Sequence, residues 1–315
     1  MRKALIVGIN DYPGVPLDGC VNDAVQMANT LERDGDGTLN FSVKRLTSPA
    51  DTITKASLRH AIQQLFTGNS DVALLYFSGH GLINSAGGWI VTPDFQRYDE
   101  GISMDEILNT ANQSMAKDKV IILDCCFSGT FGSPALQGGT LAQLSDGLTV
   151  LTASSSQEPA MEINGQGIFT SLLLDGLLGG AADLRGNVTP GSLYAYVDEA
   201  LGAWDQRPLF KTNVSRFTVL RRVPSSIPLD ALRRLSEYFP DPAYEFLLDP
   251  SYEDTEAIAN PEHVKVFKEL QKYFSVGLVR PVGEEYMYYA AINSKPCKLT
   301  ALGYQYWRLA TEGKL

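Results

Sequence analysis

Four short apolar runs punctuate the first half of the chain: Ala4 to Ile9, Val72 to Phe77, Val120 to Leu123 and Leu148 to Leu151. Each has strand length and no polar alternation, the pattern of strands covered on both faces. Between them the apolar period lengthens to that of a helix, at Val21, Ala24, Val25, Ala28 and Leu31, then at Leu58, Ala61, Ile62 and Leu65, then at Ile107, Leu108 and Ala111. Ser103 and Glu106 frame the last of these as a capping box. Strand alternating with helix predicts an α/β domain on a mostly parallel sheet, with a further strand at Phe41–Leu46. Helices follow near Ile168–Leu178 and Ser192–Leu201, and a last strand around Ser215–Leu220.

Periodicity breaks at residues 221–228, where prolines and serines read as a linker. The expected division is a first domain over 1–223, a linker over 224–228 and a second domain over 229–315. The second reads as a helix at Leu229 to Phe239, a helix at Val264 to Phe274, two short strands around 283–285 and a final helix from Thr300. That order resembles a winged-helix domain, small and α+β, and residues 298–309 resemble its closing segment.

Composition narrows the class. The hydrophobic fraction of 44% and charged fraction of 20% are those of a folded protein with a sizeable core. The net charge of −10 disfavours nucleic acid as a partner. Both parts share it: 16 basic against 23 acidic side chains before residue 224, and 10 against 13 after it. Four cysteines, two of them adjacent, are no disulfide framework and point to a reducing compartment. Met1-Arg2-Lys3 opens like a leader, but the apolar run behind it is short and no later run reaches membrane length. The expectation is a cytoplasmic protein with no membrane partner.

Candidate chemistry sits where two of the apolar strands end. His80 lies in Ser78-Gly-His-Gly81 and Cys126 in Asp124-Cys-Cys-Phe-Ser-Gly129. In a parallel sheet the carboxyl ends of neighbouring strands open on one crevice, where an imidazole can activate a thiol and then protonate a leaving amine. Glycines beside His80 allow tight turns and close approach of substrate. Cys125, out of phase with Cys126 on the same strand, reads as a small buried residue.

These two motifs, in this order and 46 residues apart, resemble the Ser-Gly-His-Gly and Asp-x-Cys-His-Ser-Gly pair of metacaspases and bacterial caspase-like peptidases, the caspase–gingipain superfamily. The resemblance spans residues 3–222. It implies a three-layer α/β/α sandwich and a cysteine endopeptidase with Cys126 as nucleophile, His80 as general base and acid, and the amides of Gly81 and Cys126 as the oxyanion hole. Phe127 stands where metacaspases usually carry His.

The segment Gly19-Cys-Val-Asn-Asp-Ala24 resembles the metacaspase pocket segment, so the resemblance implies that Asp23 and Asp124, with Cys20 and Ser78, bind a substrate Arg or Lys. Taken alone, Asp23 reads as a solvated first-turn carboxylate behind an Asp18 cap. Metacaspases often require calcium, and Asp94, Asp99, Glu100 and Asp105 offer oxygen ligands, but their spacing is not diagnostic and a solvated acidic loop is the preferred reading, so no metal site is assigned. The stretch Thr130–Gly147 contains no Lys or Arg, leaving Arg185 and Arg221-Arg222 as the targets for self-cleavage. The expected partners are a protein or peptide substrate with Arg or Lys before the scissile bond and a regulatory protein on the second domain. The resemblance further implies a role in prokaryotic stress, cell death or antiphage defence. The alternative is a catalytically silent scaffold of the same fold that works by protein interaction.

Overall fold

The computed structural model describes residues 1–84, 87–97, 99–125, 143–153, 162–163, 166–201 and 208–315. Two compact units, Met1–Pro224 and Ser225–Leu315, make up the chain. The first runs β1 (Arg2–Gly8), α1 (Cys20–Glu32), β2 (Ser42–Thr47), α2 (Lys55–Phe66), β3 (Val72–Ser78), β4 (Gly81–Asn84), β5 (Gly87–Gln96), β6 (Asp99–Ser103), α3 (Met104–Asn112), β7 (Asp118–Asp124) and β8 (Leu148–Thr152). It continues through β9 (Glu162–Ile163), β10 (Gln166–Gly167), α4 (Ile168–Asp175), β11 (Asn187–Val188), α5 (Pro190–Ala200), β12 (Leu209–Asn213) and β13 (Arg221–Arg222).

Six strands form the central sheet in the order β12-β8-β7-β3-β1-β2, all parallel except β12. Alternation along the strands separates two cores. Leu5, Val7, Leu75, Phe77, Ile121 and Leu123 pack under α2 and α3, whereas Ala4, Ile6, Leu74, Tyr76, Val120 and Ile122 pack under α1, α4 and α5. The result is the α/β domain on a mostly parallel sheet that the alternation predicts, in the three-layer α/β/α form that the resemblance implies. Register then fixes the site. Gly8 lies beside Ser78 and Ser78 beside Asp124, so the carboxyl ends of three central strands form one row.

Several boundaries differ from the sequence reading. The last sheet strand is β12, and Ser215–Leu220 is irregular; Arg221–Arg222 instead pairs with β11. The residues after His80 form an antiparallel sheet, β4-β5-β6, where an acidic loop was expected. In α1 the buried stripe is Cys20, Asp23, Ala24, Met27, Ala28 and Leu31, with Val21 and Val25 only half-buried. The apolar period misplaces that face because one of its members is a carboxylate. Gly8 lets α1 cross the end of β1 closely: a Cβ there would stand 2.3 Å from the Cys20 carbonyl oxygen.

The second unit is small and α+β: α6 (Leu229–Arg233), α7 (Leu235–Tyr238), β14 (Glu245–Leu247), α8 (Pro261–Ser275), β15 (Val279–Pro281), α9 (Met287–Ile292), β16 (Pro296–Leu299) and α10 (Ala301–Thr311). The sheet order is β14-β16-β15. The two strands expected around 283–285 lie instead at β15 and β16, with α9 between them. Met287, Ala290 and Ala291 bury at helical spacing, a period that the intervening tyrosines mask in the sequence.

Candidate active site

Asp23, Ser78 and Asp124 converge on the α1/α4 side of the sheet. All three are buried, Asp23 to 2% exposure and Asp124 to 6%. Ser78 Oγ donates to Asp23 Oδ2 (3.4 Å), and the Gly167 amide donates to the same oxygen (3.3 Å). The Thr170 hydroxyl donates to Asp124 Oδ2 at 2.6 Å. Tyr76 Oη lies 2.6 Å from Thr170 Oγ1, and since the threonine proton is committed to the carboxylate, the phenol is the donor in that contact. A Cβ on Gly167 would lie 2.7 Å from Asp124 Oδ2 and 3.2 Å from Asp23 Oδ2. Those two distances bound the separation of the carboxylate oxygens at 5.9 Å. Only glycine fits between them without displacing one.

The acidity of the pocket reaches its neighbours. Burial, and then the negative charges of Asp124 and Asp23, push the Tyr76 phenol well above its ordinary range. Cys20 is buried at the first residue of α1, close enough to both Tyr76 and Tyr12 to raise them further. The helix carrying Cys20 and Asp23 is capped from a distance. Its N-cap is Gly19, with no side-chain bond, and the Val21 amide donates to Asn10 Oδ1 (3.0 Å). The solvated-carboxylate expectation for Asp23 and the Asp18 cap are therefore both corrected.

His80 stands two residues beyond Ser78 and half-buried. Its main chain is clamped: the His80 amide donates to Tyr12 Oη (3.1 Å), Tyr12 Oη donates to the Val91 carbonyl (3.3 Å), and the Val91 amide donates to the His80 carbonyl (2.9 Å). Gly79 makes room, since a Cβ there would be 2.4 Å from Tyr12 Oη. The ring meets Tyr12 edge-on at 4.6 Å, and Nε2 lies 2.7 Å from the Val15 carbonyl oxygen. A carbonyl only accepts, so Nε2 carries the proton and Nδ1 is the nitrogen left to act as base. Gly81 opens β4 directly after this residue.

The row of strand ends thus brings Asp23, Ser78 and Asp124 together and holds His80 just beyond, with Gly79 N–H donating to the Asp124 carbonyl (3.3 Å). Cys126 lies outside the described residues. Cys125 is buried in the core under α2 and α3. Sequence reasoning missed Thr170, Tyr76, Gly167, Tyr12 and Val15. A hydroxyl inside the apolar stretch Gly167-Ile-Phe-Thr was a signal for Thr170; the Val15 carbonyl has none.

Two of the acidic residues weighed for calcium are engaged with Lys55. Asp94 accepts the Lys55 amide at the start of α2, Asp99 pairs with the Lys55 ammonium, Asp105 is exposed, and the Glu100 side chain lies outside the described residues. Among the described residues no group of three or more His, Cys, Asp or Glu is placed to hold a metal ion. Arg185 sits in a turn whose Arg185 and Asn187 amides both donate to Asp183 Oδ1. Arg222 is bonded through its amide to Asp34 Oδ1 (2.8 Å) and through its carbonyl to the Gly35 amide (2.6 Å). No helix among the described residues is long and apolar enough to cross a membrane.

The model of the caspase domain, Peptidase C14, matches residues 1–217. The chain belongs to the caspase-domain family. Within that family of cysteine peptidases it is similar to metacaspase-2 of Trypanosoma brucei brucei, 27% identical over 146 residues, which cover 41% of this chain and 42% of that protein. The match thus spans about two fifths of the curated relative's length. Among solved structures, the caspase-domain chain superposes on caspase-1 of Spodoptera frugiperda with a TM-score of 0.51 at 14% identity, covering 70% of this chain and 90% of the other. A structural-genomics protein of Geobacter sulfurreducens gives a TM-score of 0.51 at 20% identity over 71% of this chain and 98% of its own. These two likenesses establish the caspase fold.

Proposed function

We propose that this caspase-domain protein is a cysteine endopeptidase that cleaves after Arg or Lys. The observation that carries the reading is the meeting of Asp23 and Asp124, buried and less than 6 Å apart, at the strand ends that precede His80 and Cys126 in sequence. Two carboxylates at that separation repel by about 3 kcal/mol at an effective dielectric constant of about 20. A guanidinium or ammonium seated against both removes that repulsion and supplies donors to each, with the planar fork of Arg the better match.

In the reaction, His80 Nδ1 takes the Cys126 thiol proton and the thiolate attacks the carbonyl carbon of the residue held by the acid pair. The oxyanion is received by the amides of Gly81 and Cys126, and His80 returns the proton to the departing amine. Water then hydrolyses the thioester with His80 again as base. The Val15 carbonyl keeps the ring in the tautomer this sequence needs. The second unit, acidic and rich in exposed tyrosine, serves as the regulatory module and binds protein.

Cys126→Ala is expected to abolish release of fluorophore from a peptide ending in Arg, and turnover retained by that variant rejects the proposal. Asp124→Ala should lower kcat/KM for Arg and Lys substrates by a factor of about 100 or more, the usual cost of leaving a charge-assisted contact unmade. An unchanged preference for basic residues removes the acid pair from specificity.

A further inference from the structure

On the face of His80 away from the acid pair lies an open cavity of about 450 Å³. Its apolar walls are Tyr12, Val15, Leu82, Val91 and Phe95, and His80, Gly81, Gln96 and Arg97 complete the lining. None of Cys20, Asp23, Ser78, Asp124 or Thr170 contributes to it, so it is a separate compartment from the carboxylate pocket. Most of its surface is hydrocarbon and aromatic ring, and two of its large apolar side chains, Val15 at 52% and Phe95 at 36% exposure, stand open to solvent. A cavity of this size and mostly apolar lining, with a few polar groups to fix orientation, is suited to an apolar guest.

We infer that this cavity is the subsite for the leaving side of the substrate and that it selects a large apolar residue, Leu or Phe in kind, directly after the scissile bond. The inference rests on the endopeptidase reading above and adds a second determinant to it. The geometry follows from proton delivery. The imidazole must reach the nitrogen of the departing amine in order to protonate it, so the residue bearing that nitrogen lies against His80. The basic residue before the bond is held on the other side, by Asp23 and Asp124. A side chain on the departing residue then meets the wall that His80 shares with Val15, Leu82 and Phe95. Aliphatic or aromatic groups bury there against Phe95 and Val15, while an ammonium would lose water and meet the like charge of Arg97 in place of a counter-ion. The lining comes from different elements, Tyr12 and Val15 from the segment after β1, Leu82 from β4, and Val91 and Phe95 from β5, so the segment that steers the ring also forms one of the walls.

The test uses the full-length protein and internally quenched peptides with Arg fixed before the scissile bond and Leu, Phe, Gly, Asp or Lys after it. Leu and Phe are expected to exceed Gly and Lys in kcat/KM by about tenfold or more, the discrimination that contacts in an apolar pocket supply. Phe95→Asp should reverse the order, favouring Lys over Leu, and Phe95→Leu should preserve it, which separates a change of subsite from a damaged fold. Cleavage after Arg with equal rates for all five peptides, or a Phe95→Asp variant with the parent's preference, overturns the inference and leaves the endopeptidase reading standing. Cleavage of none of the peptides overturns both.

Discussion

Thr170 shows how one hydroxyl can tie a pocket to its scaffold. It passes the Tyr76 proton contact on to Asp124, and both its partners are buried. Thr170→Val keeps the shape and removes the donor, leaving the carboxylate oxygen short of a charge-assisted bond worth about 1.5–3 kcal/mol. The expected result is a loss of stability of that size by chemical denaturation and a rise in KM for Arg peptides. A variant with parental stability and KM would show that the hydroxyl is a bystander. Legibility in the sequence was uneven at this scale. Asp124 was conspicuous as a charge ending an apolar strand, and His80 as an imidazole between glycines. Asp23 was not, because a carboxylate in the first turn of a helix is ordinarily solvated, and only the three-dimensional closure by Gly167 and Ser78 buries it. Thr170 and Tyr76 were hidden because each looks like a routine member of its helix or strand.

Among the elements, the segment between β1 and α1 governs the imidazole. Asn10 braces it: the Asn10 amide donates to Ser48 Oγ (3.0 Å), its Nδ2 donates to the Asp18 carbonyl (2.9 Å), its Oδ1 accepts the Val21 amide, and its own carbonyl accepts the amides of Tyr12 (3.1 Å) and Leu17 (2.9 Å). Val15 hangs in the loop thus closed. Asn10→Ala is expected to leave circular dichroism unchanged while kcat falls about tenfold or more, since under the proposed endopeptidase mechanism small displacements of His80 are costly. Parental kcat would show that the loop holds its shape without the amide. Strand and helix existence was readable from period alone, because strands covered on both faces and helices covered on one leave different apolar spacings. Boundaries and the β4-β5-β6 sheet were not, since Gly87-Gly88, Pro93 and the charges of 94–100 speak for turns whatever lies between them.

For the whole molecule, alkaline pH is the revealing variable. Tyr12, Tyr76 and Tyr273 all carry phenols raised above the ordinary value of 10, burial being the first cause in each. The folded protein holds these protons where the unfolded chain releases them. The stabilisation is complete below pH 10 and is lost as pH climbs above it, at about 1.4 kcal/mol per pH unit for each phenol. Melting temperature should therefore drop steeply between pH 10 and 11.5, and Tyr76→Phe should flatten that limb by one proton's worth; an identical slope would assign the titration elsewhere. A different lesson concerns inheritance. The atom that aims His80 is the main-chain oxygen of Val15, which every amino acid at that position would also provide. Point substitution there cannot delete it, and comparison of side chains among relatives will not reveal it. Insertions or deletions that change the number of residues between Asn10 and Asp18 are the events able to turn the imidazole away while sparing His80 itself, so the length of that stretch is the better guide to which relatives hold the ring as this chain does.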